Sequence, residues 1–181
     1  EISSIKAEIS TLESYLTNED ERSLEKKIDL KQNLESSLAS VLGETLSAPV
    51  VKKPEIDKEH FWRQDLNLIK KENNLPNTIT PLTEKVRSSD ILNTALQGVG
   101  IVQSEKEAYE LQENLLFGQS ITTPKGGVWR WDGYVQTPKA KNNFVKRLIF
   151  RKNLKILQQK LTDKVKTLSS IDKKIEYENN Q

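Results

Sequence analysis

The chain has 181 residues, enough for one compact domain with extensions, and it is poor in apolar residues (35%) and rich in charge (30%). It has no Cys and a single His, His60, which rules out disulfide frameworks and thiolate metal sites and leaves no material for a His-based metal centre or catalytic triad. No run of about 18 apolar residues exists to cross a membrane, and no signal peptide is visible.

The net charge of +2 conceals an asymmetry: residues 1–40 carry 5 Lys/Arg against 9 Asp/Glu, whereas residues 137–181 carry 12 against 4. An acidic helix and a basic helix attract when laid side by side, so the basic end can serve to pair with the acidic one. Its excess of positive charge also suits contact with the phosphates of DNA. The two uses are compatible.

At the start, Ile2, Ile5, Ile9, Leu12 and Leu16 step by three and four, which predicts an amphipathic helix that must bury its stripe against a partner. The stripe stumbles at Thr17–Asp20 and resumes at Leu24, Leu34, Leu38 and Val41, so one helix is expected from Ile2 to about Leu46, with a register shift or a bend between. An opening without Met and already in heptad phase reads as a segment of a longer coiled-coil protein. Pro49 and Pro54 end the first helix.

His60–Lys71 has amphipathic helical spacing, 73–77 is a turn, and 78–82 is short and β-prone. Ser89 opens a short helix over 90–96 closed by Gly98, and 98–102 reads as a buried strand. Ser104 and Glu107 have the spacing of a capping box, which opens a helix through Ala108, Leu111, Leu115 and Leu116 and ends near Gly118. Ile121–Thr122 and Val128–Trp131 are strand candidates flanking a turn at 124–127, and Asp132-Gly133 is a second turn. Alternation predicts that Trp129 and Trp131 share one face, in a core or an interface. Pro138 stands near the start of a returning helix, whose seam is Leu154, Leu157, Leu161, Leu168, Ile171 and Ile175, with Lys164 in one slot.

The expected fold is therefore α+β: a compact mixed head, 42–136, inserted between arms 1–41 and 137–181 that pair as an antiparallel intramolecular coiled coil. The glycines Gly126, Gly127 and Gly133 permit close backbone approach, and an exposed strand edge needs a partner, so a dimer surface is expected at Gly126, Gly127, Val128 and Gly133. The Gly126-Gly127 pair lacks the GxxxxGK[ST] pattern of a nucleotide site, and Asp132 beside Arg130 has no second carboxylate at catalytic spacing. No cofactor or catalytic set is expected in this chain.

Several segments resemble a known family. Val41–Val50 is similar to the ALG-x-x-L-x-x-x-V opening of the hinge of structural maintenance of chromosomes (SMC) proteins. Asn77–Leu82 resembles a short hinge strand ending in Pro-Leu, and Gly100–Ala108 a strand, capped turn and helix. Thr123–Val135 resembles the closing glycine-containing strands, and Val128-Trp-Arg-Trp-Asp-Gly-Tyr134 looks most like the alphaproteobacterial version. Residues 51–75 depart from the pattern, and Trp131, Gln136 and Thr137 stand where glycines are usual.

The resemblance implies a non-catalytic homodimerisation module of a chromosome-organising ATPase acting in chromosome condensation and segregation. ATP and Mg would bind at head domains outside the chain, and accessory condensin subunits would bind outside it too. The location implied is cytoplasmic and nucleoid-associated. It also implies nonspecific DNA binding near the hinge–coil junction, for which Lys139, Lys141, Lys146, Arg147, Arg151 and Lys152 are the candidates. A coiled-coil hairpin whose head binds a protein partner, without nucleic acid, is the competing reading.

Overall fold

The structure is a computed structural model that describes residues 1–16, 20–29, 33–54, 59–66, 75–86 and 89–179. It falls into two compact units: Glu1–Asn18 with Ile149–Gln181, and Glu19–Leu148.

The first unit is the arm. Helix α1 (Ile2–Tyr15) lies beside a long helix, α5 (Asn143–Asn179), whose residues from Ile149 onward belong to this unit. Glu1 bonds Lys164 at 2.9 Å, while Tyr15 meets Phe150 with ring centroids 5.3 Å apart. The two helices therefore run antiparallel, residue for residue. Ile5 and Ile9 are buried in the seam and Leu154, Leu157 and Leu161 are half-buried opposite, as the heptads predict. Past the reach of α1, Leu168, Ile171 and Ile175 are exposed.

The head holds a five-stranded mixed sheet. Its strands are β3 (Thr80–Pro81), β4 (Val99–Ile101), β5 (Ser120–Thr122), β6 (Val128–Arg130) and β7 (Val135–Gln136), in that spatial order. Within this sheet, among the described residues, β4 and β5 alone pair in parallel, which requires a crossover, and α4 (Glu105–Gln112) supplies it. The N-cap forms as spaced, Ser104 Oγ accepting from Glu107 N at 3.2 Å, while the Glu107 carboxylate reaches one residue further back than a capping box and accepts from Gln103 N at 3.0 Å. The helix is shorter than expected; Leu115 and Leu116 lie beyond it. A short helix, α3 (Asp90–Ala95), follows Ser89, and Gly98 with φ of 79° leads into β4, as predicted.

Three expectations fail. The first helix does not continue to Leu46. It ends at Tyr15, and the described chain resumes at Asp20, whose side chain accepts from Arg22 N at 2.9 Å in a tight turn. A 3-10 turn (Leu24–Lys27), helix α2 (Glu35–Leu42) and a second 3-10 turn (Gly43–Ser47) follow. Leu24, Leu34 and Leu38, placed in an arm by their spacing, lie in the head core with Leu46, Val50, Leu82, Leu92, Leu96, Val99 and Leu148. The head thus starts near Glu19 rather than residue 42 and includes the first turns of α5.

The second failure is 60–71. Trp62–Arg63 forms strand β2, which pairs in parallel with β1 (Val50–Val51) and is anchored by Trp62 Nε1 donating to Thr45 O at 2.7 Å. The rest of that segment, from residue 67, lies outside the described residues, as does most of the Thr17–Asp20 interruption. Third, the return helix begins at Asn143, five residues after Pro138. Asn142 caps it by accepting from Phe144 N at 3.0 Å, and donates to Ala39 O at 2.7 Å.

Candidate functional site

Between β5 and β6 the chain turns through Gly126 and Gly127, both with φ of 92°. Both are buried. Gly127 N donates to Ser40 Oγ of α2 at 3.0 Å, and Ser37 Oγ donates to Thr123 O at 2.7 Å. A Cβ on Gly127 would stand 2.9 Å from the Trp129 ring and 3.0 Å from Gln136 O, so no other residue fits there. The close approach these glycines permit is made to α2 of the same chain. Val128 is buried as well, so this turn retains little surface for a second subunit.

The β6–β7 turn is open. Arg130 N donates to Tyr134 O at 2.9 Å, and Gly133 has a φ of 86°. A Cβ added to Gly133 would meet nothing within 4 Å. Asp132 serves the turn: it accepts from Tyr134 N at 3.3 Å and pairs with Arg130. This is turn chemistry, and among the described residues no His/Cys/Asp/Glu group is arranged to hold a metal.

The two tryptophans part company here. Trp129 points inward, fully buried and edge-on to Tyr109 at 5.4 Å. Trp131 leaves the strand and is 39% exposed, because the turn begins at it and breaks the alternation. It leans on Phe117 at 4.6 Å between centroids, and Phe117 itself is 83% exposed. Leu116 and Tyr134 are also exposed, with Arg130 over the Tyr134 ring at 5.4 Å. The loop carrying Leu116 and Phe117 is held by buried Gln119, whose Oε1 accepts from Leu116 N at 2.8 Å and whose carbonyl accepts from Trp131 N at 3.1 Å. Exposed apolar and aromatic side chains held in place by hydrogen bonds to a buried glutamine are the mark of an interaction surface. Sequence reasoning put Leu116 on a helix face and passed over Phe117. The signal was there: a large apolar pair immediately before Gly118, after the helix has spent its turns.

The basic candidates separate. Lys139 and Lys141 are exposed ahead of α5, and Lys146 is exposed on its first turn. Arg147 instead donates from Nη2 to Glu25 Oε1, and the Glu25 side chain is fully buried. Burial pushes the Glu25 carboxyl above its ordinary value, against the opposing pull of Arg147. Arg151 and Lys152 are half-buried in the arm unit, and burial lowers the Arg151 guanidinium from its ordinary value.

Comparison with known proteins gives a consistent family. No protein-family model matches the chain. A chromosome partition protein Smc from Rhodopseudomonas palustris is 30% identical over 134 residues, covering 74% of this chain and 11% of that protein. The chain therefore spans about a tenth of the length of the curated relative it matches. Among solved structures, an asymmetric dimer of the Geobacillus stearothermophilus SMC hinge domain superposes with a TM-score of 0.70 at 15% identity, covering 95% of this chain and 86% of that one. A Pyrococcus furiosus Smc hinge domain with an extended coiled coil gives 0.52 at 15% identity, covering 99% and 80%. The mixed sheet, the long coil helix and the sequence match all lead to one family: the chain belongs to the SMC proteins and is their hinge domain with flanking coiled coil.

Proposed function

We propose that this hinge joins two copies of its SMC protein and contributes nonspecific DNA binding to chromosome condensation and segregation. The observation that carries the dimer reading is the exposed Leu116–Phe117–Trp131–Tyr134 surface beside Gly133, in a family whose Geobacillus member is described as a dimer. The surface adjoins β7, an edge of the sheet, so strand addition and apolar burial can act together. Gly133 lies in the turn that carries this surface, whereas Gly126, Gly127 and Val128 are buried.

DNA contact falls to Lys139, Lys141 and Lys146, which are exposed, with Arg151 and Lys152 offering partial surfaces. The contacts would be to phosphate and independent of sequence. ATP hydrolysis belongs to head domains outside this chain, as do accessory subunits, and the setting is the nucleoid in the cytoplasm. The described residues contain no helix long and apolar enough to cross a membrane.

Sedimentation equilibrium tests the dimer. The expected result is a concentration-dependent species of twice 20.7 kDa that Trp131→Glu returns to monomer. A strict monomer at all concentrations would favour the competing reading, in which the same apolar surface receives a different protein. For DNA, the affinity should fall steeply with salt, by a log–log slope of about −0.9 for each phosphate neutralised, and the triple reversal of Lys139, Lys141 and Lys146 to Glu should abolish it.

A further inference from the structure

The β6–β7 turn holds a reactive pair of residues. Asp132-Gly133 is the sole Asp-Gly step in the chain, and no Asn-Gly occurs. At such a step the amide nitrogen that follows the aspartate can attack its Cγ, because glycine has no Cβ to obstruct the approach. The Gly133 N–Cγ bond forms, the amide proton and the carboxyl hydroxyl leave as water, and a five-membered imide results. Water then opens the imide. Breaking the new bond restores aspartate; breaking the bond to the Asp132 carbonyl carbon leaves isoaspartate, whose main chain is one methylene longer. No oxidant or cofactor is consumed.

Both residues are exposed, and a Cβ added to Gly133 would meet nothing within 4 Å, so the turn has room to rearrange. A set of surface hydrogen bonds opposes the attack. Asp132 Oδ2 accepts from Arg130 Nη2, and Oδ1 accepts from Tyr134 N at 3.3 Å. The nucleophile, Gly133 N, donates to Arg130 O at 3.2 Å, and Gln112 Nε2 holds the same carbonyl at 2.9 Å. The bonds from Tyr134 N and Gly133 N are at the long end of the normal range, and the Arg130 side chain is 47% exposed. The restraint is therefore modest, and Arg130 supplies both a side-chain and a main-chain part of it.

We propose that Asp132-Gly133 is a site of spontaneous isomerisation to isoaspartate, and that the Arg130 guanidinium sets its rate by holding the carboxylate off the Gly133 amide. The extra methylene breaks the register in which Arg130 N meets Tyr134 O, and so displaces Trp131 and Tyr134 together. The consequence for assembly rests on the dimer reading above: an isomerised chain no longer presents the surface that a second copy meets.

Peptide mapping by mass spectrometry, with isoaspartate located by fragmentation, tests it on the whole chain incubated at neutral pH. Isoaspartate should accumulate at Asp132, more slowly than in the same chain unfolded in denaturant. Arg130→Ala should raise the rate by about threefold, the scale of a surface ion pair, while Arg130→Lys, which keeps a cation there, stays near the parent. The separated isomerised chain should sediment as monomer where the unmodified chain is a dimer. No isoaspartate at Asp132 in the folded parent or in Arg130→Ala overturns the site. Equal rates in the parent and Arg130→Ala overturn the role of Arg130. An isomerised chain that still dimerises overturns the consequence for assembly. An unmodified chain that stays monomeric overturns the dimer reading and that consequence with it, and not the isomerisation.

Discussion

Ile5 and Ile9 in the arm and Leu24, Leu34 and Leu38 in the head descend from the same three-and-four spacing, and they meet different fates. The arm isoleucines face one neighbouring helix and sit at the edge of burial, each 9% exposed. Leu24 and Leu38 are fully buried in a cluster drawn from residues 24 to 148. The difference teaches that periodicity reports a helix-like face in need of cover and is silent about how many elements cover it. A two-helix seam shields one side; a core closes around.

The largest effect should therefore come from the head. Leu38→Ala is expected to cost roughly 3–5 kcal/mol in chemical denaturation, since a closed site relaxes little around the cavity. Ile9→Ala should cost about 1–2 kcal/mol, because an open seam lets water and neighbours fill in. Equal losses would break the comparison.

Next is Arg147→Ala, at about 3 kcal/mol, because it removes a cation hydrogen-bonded to the buried Glu25 carboxylate. Glu25→Gln should be nearly neutral at pH 7. The sign with pH follows from the carboxyl's raised position. Because the folded value lies above the ordinary 4.5, this group's stabilising contribution is present below 4.5 and is lost as pH rises through the folded value. The stability of Glu25→Gln relative to the parent should accordingly increase from acid to neutral pH, and a decrease would show that the pairing outweighs the burial.

Smaller still, Ser104→Ala should cost about 1 kcal/mol by removing the cap of α4. Lys164→Ala, which breaks the bond to Glu1 on the arm surface, should leave the thermal midpoint unchanged within error. A measurable loss there would mean that surface charge, and not the isoleucine seam, holds the arm.

What could be read along the chain alone was whatever one segment decides with its own atoms. The Ser104–Glu107 cap, the Gly98 and Gly133 turns, β4 through β6 and the two ends of the coil all follow from hydrogen bonds, φ preferences and spacing within a few residues. The Val128–Tyr134 motif also made the family legible. Folding across distance decided the rest. Trp62 enters a strand where helical spacing was seen, because β1 and the Thr45 carbonyl offer it partners. Trp131 turns outward because the backbone bends there, although its spacing from Trp129 is that of a strand face. Arg147 becomes a structural cation because Glu25, 122 residues away, is buried beside it. Spacing along a chain tells which side chains share a face; only the packed fold tells what that face meets, because burial, desolvation and charge pairing are properties of neighbours that sequence separation does not encode.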